Sequence, residues 1–125
     1  MGKYYLAIDI GASSGRHIIA EIVDGKIVLE EVYRFWNGMD DVDGSLCWDV
    51  NRLMGEIVAG LKKCKEIGKI PYAVGIDTWG VDYALLDEND EVIRPAILWN
   101  DGRTAKQVDY LNNEIGKDKL SALTA

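Results

Sequence analysis

Histidine and cysteine are almost missing. His17 is the single histidine among 125 residues, and the two cysteines, Cys47 and Cys64, form no C-x-x-C pair and lie far from it. That ligand count and spacing exclude a zinc site. The thiols read as buried and free, in a reducing compartment. Clustered cations are missing too: 14 Lys and Arg stand against 21 Asp and Glu, a net charge of -7, and the nearest thing to a basic run is Lys62, Lys63 and Lys65. Tight binding to a phosphate backbone needs such clusters, so nucleic acid is excluded as a partner. No stretch approaches the ~20 apolar residues of a membrane span, and no signal segment opens the chain. The expectation is a cytoplasmic protein. Internal repeats and low-complexity stretches are also lacking.

What is present suits one compact domain: 48% of the residues are apolar, enough for a core without disulfides or metal. Residues 4–10 read as a largely buried first strand. Residues 11–15 form a small-residue turn, and residues 16–23 a second strand, with His17 expected to point outward. Asp24-Gly25 is a two-residue hairpin signal leading into a third strand over 26–35. Residues 36–46 carry three Asp and two Gly and read as a loop. Asp49 is placed to cap a helix whose apolar residues Val50, Leu53, Met54, Ile57, Val58, Leu61, Cys64 and Ile67 fall at spacings of three and four, and Gly68 closes it. A fourth strand over 72–77 follows a helix and is expected to pair in parallel with the first. A fifth strand is predicted over 81–86, turned by residues 87–90, then a short extended segment over 95–99. A helix capped by Thr104 runs through Ile115 to Gly116, and a last helical segment covers 117–125. The chain breaks off there, and the expectation is a piece of a longer α/β protein.

Residues Asp9, Ile10, Gly11, Ala12, Ser13, Ser14, Gly15 and Arg16 carry the chemistry. A phosphate needs inward-pointing amide N–H groups and no obstructing side chain. Gly11, Ala12 and Gly15 leave that access. Ser13 and Ser14 add hydroxyl donors, and Arg16 adds a forked cation matched to phosphate oxygens. Asp9, at a strand end, is suited to a hydrated Mg²⁺. The P-loop pattern G-x-x-x-x-G-K-[ST] is absent, as is the dinucleotide pattern G-x-G-x-x-G. Here the turn joins two antiparallel strands. Phosphate held in a β-hairpin marks the actin, hexokinase and Hsp70 superfamily.

The segment 7–16 resembles the opening of the FGGY family of carbohydrate kinases, within it the rhamnulokinase subfamily. Residues 33–38, Trp48-Asp49 and above all Gly75-Ile76-Asp77-Thr78-Trp79-Gly80-Val81-Asp82-Tyr83 are similar to that subfamily as well. Residues 95–104 depart from it and look more like the xylulokinases, which leaves the sugar open. The resemblance implies a ribonuclease-H-like α/β fold with a mixed sheet and flanking helices, of which residues 1–125 form part of the N-terminal lobe. It implies ATP and Mg²⁺ meeting a ketose, L-rhamnulose first, in a cleft between two lobes. Asp9, Gly11, Ala12, Ser13, Ser14, Gly15 and Arg16 would serve the nucleotide, and Asp9 the metal through water. The catalytic aspartate would belong to a second lobe, outside this chain, so the chain alone is expected to be inactive.

For the sugar, the candidates are Asp77, Trp79, Gly80, Asp82, Asp101 and Arg103. Five residues apart across a turn, Asp77 and Asp82 suggest convergence, but phosphoryl transfer needs one base, so hydroxyl binding or loop shaping is the preferred role. Trp79 can stack on a sugar face, next to a glycine that lets backbone approach a ligand. Asp101 and Arg103 either pair with each other to order a loop or reach a hydroxyl. Trp36, Trp48 and Trp99 read as packing residues. A pentulose kinase is the alternative within the family, and a non-catalytic sugar- or nucleotide-binding module the alternative outside it.

Overall fold

The computed structural model describes residues 3–124. Strands β1 (Tyr4–Ile10), β2 (Ser14–Val23) and β3 (Lys26–Trp36) form an antiparallel meander. The Asp24-Gly25 turn between β2 and β3 holds both residues at positive φ, 51° and 74°, the geometry that favours this dipeptide in two-residue hairpins.

Two short strands follow, β4 (Asp40–Val42) and β5 (Ser45–Trp48). The expected loop over 36–46 thus contains a second hairpin. Its turn is another Asp-Gly pair, Asp43 and Gly44, at φ 52° and 81°, the same signal as Asp24-Gly25. Helix α1 (Val50–Glu66) begins where predicted: the Asp49 carboxylate accepts the Arg52 amide at 2.9 Å, a cap typically worth ~1 kcal/mol. Gly68 ends the turn at φ 74°. The chain then returns as β6 (Pro71–Thr78), parallel to β1. The main sheet runs β3-β2-β1-β6.

Beyond β6 the predicted strand over 81–86 does not form; only an isolated bridge, Leu86 to Val92, flanks the 87–90 turn. Val81 at φ 68° breaks extended geometry at the first residue of that expected strand. The extended segment at 95–99 is β7 (Ala96–Ile97), which pairs with β5 in a small sheet ordered β4-β5-β7. Helices α2 (Ala105–Ile115) and α3 (Lys117–Thr124) complete the chain. Thr104 precedes α2, but its side chain makes no capping hydrogen bond. Ala125, the end of the last predicted segment, lies outside the described residues.

The core lies between α1 and one face of the meander. Leu6, Ile8, Ile10, Ile19 and Phe35 from the sheet meet Cys64, with Leu53, Ile57 and Leu61 of α1 packed against them. Both cysteines are free and buried, and burial pushes the Cys64 thiol up, away from reactive thiolate. His17 departs from the sequence expectation: it points inward and is fully buried, with neither ring nitrogen partnered. Strand alternation puts Gly15, His17 and Ile19 on one face, and Gly60 of α1 makes room, since a Cβ there would come within 2.2 Å of the imidazole. Burial holds the His17 pKa down; the nearby Ile57 backbone and the Glu56 charge pull the other way. Among the described residues no helix is long and apolar enough to cross a membrane.

Candidate nucleotide and sugar site

The small-residue turn closes the end of the β1–β2 hairpin. The Gly11 amide donates to the Ser14 carbonyl at 2.9 Å. The turn is anchored from behind by Asn37, just past β3. Its backbone amide donates to the Ser13 carbonyl at 2.9 Å, and its side-chain amide donates to the Gly11 carbonyl at 2.8 Å. The amides of Ala12 and Ser13 find no acceptor among the described residues, and both residues are exposed. Unpaired N–H groups on an exposed turn of small residues are the kind of donors an anion can use. Gly15 serves a second purpose the sequence did not show: a Cβ there would sit 2.1 Å from the Phe35 ring, so packing alone requires glycine.

Register carries the charged residues to one place. Arg34 pairs with Arg16, Arg16 with Asp9, and Asp9 with Asp77. Directly paired residues leave a sheet on the same side, so these four form a row across the face opposite α1. Arg16 turns along the row: Nε and Nη2 lie 3.0 and 2.9 Å from Asp9 Oδ2. Arg34 is occupied by Glu31, which lowers the Glu31 pKa and raises that of Arg34. Asp9 and Asp77 therefore stand near the ends of two adjacent parallel strands, beside the 11–14 turn. Among the described residues no group of three His, Cys, Asp or Glu forms a metal cage. One or two carboxylates are the protein ligand set that suits Mg²⁺, which keeps several of its waters.

The second group of candidates lies past β6, and Asp82 organises it. One oxygen, Oδ2, accepts the indole N–H of Trp48 and that of Trp79, each at 2.8 Å. The other, Oδ1, accepts the Trp99 amide at 2.7 Å. Trp48 and Trp79 pack with ring centroids 4.4 Å apart. Both oxygens of Asp82 are thus used by protein donors, whereas Asp77 stands exposed in the row with Asp9. Gly80 is open, with nothing near the position of a Cβ. Val81 follows at φ 68°, a conformation unfavourable for a β-branched residue. Strain of this kind persists only where surroundings enforce it, here the Asp82 anchor. The Asp101 carboxylate is almost wholly enclosed and pairs with Arg103 at 2.9 Å, while Arg103 also reaches the Leu98 carbonyl at 2.9 Å. That pair ties down the 98–103 loop.

Residues 4–125 match the FGGY family of carbohydrate kinases, N-terminal domain. The chain belongs to the FGGY family. It is similar to curated rhamnulokinases: 45% identical to that of Bacillus subtilis (strain 168) over 90% of this chain and 23% of the relative, and 46% identical to that of Halalkalibacterium halodurans over 94% of this chain and 25% of the relative. The chain therefore spans about a quarter of the length of these relatives. Its fold is similar to that of gluconate kinase from Lactobacillus acidophilus (TM-score 0.74, 16% identical, 93% of this chain and 23% of that one). It is also similar to Plasmodium falciparum glycerol kinase with ADP (TM-score 0.67, 15% identical, 90% of this chain and 23% of that one). The FGGY chain thus has the actin/hexokinase-like fold, as the hairpin suggested.

Proposed function

We propose that this chain is the phosphate-binding and part of the sugar-binding half of an ATP-dependent ketose kinase. The observation that carries the reading is the 11–14 hairpin, with its free amides at Ala12 and Ser13 beside the Asp9–Arg16 pair. In the reaction the γ-phosphoryl group passes from ATP to a sugar hydroxyl, ADP leaves, and the hydroxyl proton goes to a general base. Such transfers depend on positioning and on neutralising charge more than on covalent chemistry. The chain's part is to hold the phosphates on the turn. Arg16 would exchange Asp9 for a phosphate oxygen, and Asp9, with Asp77 on the neighbouring strand, would hold the hydrated metal. Bound Mg²⁺ supplies charge neutralisation on the phosphates. Gly80 leaves backbone open to the sugar, and the Trp79 face, fixed by Asp82, borders it. The base is assigned to a residue outside this chain.

The rhamnulokinase relatives favour L-rhamnulose as the acceptor. The test is ATP consumption by the full-length kinase across L-rhamnulose, L-fuculose, D-xylulose, L-ribulose and glycerol. Preference for L-rhamnulose is expected. Preference for D-xylulose would make residues 95–104 the better guide to the sugar, and no turnover on any of them would contradict the kinase reading in favour of a binding module.

A further inference from the structure

We propose that Asn37 and Arg52 are positioning residues of the nucleotide site, aiming the amide face of the 11–14 hairpin at the phosphates. The inference rests on the reading of that hairpin as the phosphate site. Asn37 is buried, 1% exposed, yet every polar atom on it that the hairpin needs is used. Its side-chain NH₂ holds the Gly11 carbonyl at 2.8 Å and its backbone N–H holds the Ser13 carbonyl at 2.9 Å. A peptide group is planar and trans, so its C=O and the following N–H point in opposite directions. Fixing the Gly11 carbonyl inward therefore fixes the Ala12 N–H outward. A hairpin free to rotate that peptide would present a carbonyl oxygen to an anion.

The orientation of the Asn37 amide is itself dictated. Its Oδ1 accepts the Gly38 amide at 3.0 Å and Arg52 Nη2 at 2.8 Å. With two donors on the oxygen, the NH₂ has to face Gly11. Arg52 is held in turn: it lies in the first turn of α1, and its guanidinium also reaches the Trp36 carbonyl at 3.2 Å. The first turn of α1 is thereby connected through one buried amide to the phosphate turn. Asn37 is buried, and the polar contacts of both side chains go to protein atoms, so the role assigned to them is positioning and not ligation.

The experiment is steady-state kinetics on the full-length kinase carrying Asn37→Asp. This variant keeps the shape and the acceptor for Arg52 and Gly38, but sets a carboxylate oxygen against the Gly11 carbonyl. The KM for MgATP is expected to rise ~10-fold, the scale of one hydrogen bond replaced by repulsion. The KM for the sugar is expected to stay within about twofold, since the sugar segment lies past β6. Arg52→Met, which removes one of the two donors that hold Asn37 Oδ1, is expected to raise the MgATP KM about threefold on the same grounds, and it reads the same quantity if Asn37→Asp does not fold. Equal rises in both KM values, or a lower melting temperature with both unchanged, would overturn the proposal and leave the pair a structural clamp only. Arg16→Ala is the control: an unchanged MgATP KM there would overturn the hairpin reading itself, whatever Asn37 does.

Discussion

Asp82 shows how a single carboxylate takes a structural role that its sequence context does not reveal. Three donors, two of them indoles, converge on it. Replacing it with Ala leaves those donors without an acceptor, and each unsatisfied group costs on the order of 1 kcal/mol or more. Asp82→Ala is therefore expected to lower stability by about 2–3 kcal/mol, with red-shifted tryptophan emission as Trp48 and Trp79 separate. Asp82→Asn, which keeps one acceptor oxygen, is expected to lose less. Thermal unfolding followed by fluorescence checks both. In the sequence, Asp82 and Asp77 looked alike, two acids five apart. What separates them is long-range: Trp48 arrives from β5 and Trp99 from beyond β7, and no local pattern records that. By contrast, the hairpin that joins Asp9, Gly11 and Arg16 was legible, because it is local and its turn is built of small residues.

At the scale of elements, α1 and the meander interlock through His17 and Gly60. A methyl at Gly60 would overlap the imidazole, so Gly60→Ala is expected to cost roughly 2 kcal/mol by overpacking. His17→Ala in the same chain should recover part of that loss, as measured by a double-mutant cycle in urea. The same contact sets a pH dependence. Burial disfavours the charged imidazole in the folded state, whereas the unfolded chain takes up that proton near the ordinary pKa of ~6.5. The unfolded state then binds more protons below ~6.5, so stability is full above that pH and falls as pH drops through the window beneath it. His17→Leu is expected to flatten the denaturant midpoint between about pH 6.5 and 5. A midpoint as steep as the parent's would mean the imidazole is not the group responsible. The three meander strands, α1 and β6 were read correctly because each carries strong periodicity or an Asp-Gly turn. His17 was misread because a polar residue was assigned outward, when the alternation Gly15-His17-Ile19 and a glycine in mid-helix together pointed in. The strand expected over 81–86 failed because its apolar content was mistaken for extension, whereas Val81 is held at positive φ.

At the scale of the molecule, only one face of the main sheet is covered. The Arg34–Arg16–Asp9–Asp77 row lies open on the face away from α1, and even on the α1 side the cover stops short of β6, where Val74 and Ile76, paired with Leu6 and Ile8, are 47% and 56% exposed. The 11–14 turn and the segment from Trp79, the proposed phosphate and sugar contacts, follow the carboxyl ends of the parallel strands β1 and β6 at the same end of the sheet. The chain by itself is accordingly expected to bind MgATP weakly and to turn over no sugar, since no residue assigned here accepts the hydroxyl proton. Sugar-dependent ADP release by the purified chain would contradict that assignment. The most direct test of the central claim is calorimetric titration of MgATP into the full-length kinase and its Arg16→Ala variant. Loss of affinity by about tenfold or more in the variant, the size of a lost charge-assisted contact, is the predicted result. Equal affinity in the two proteins would contradict the placing of ATP phosphates on the 11–14 hairpin.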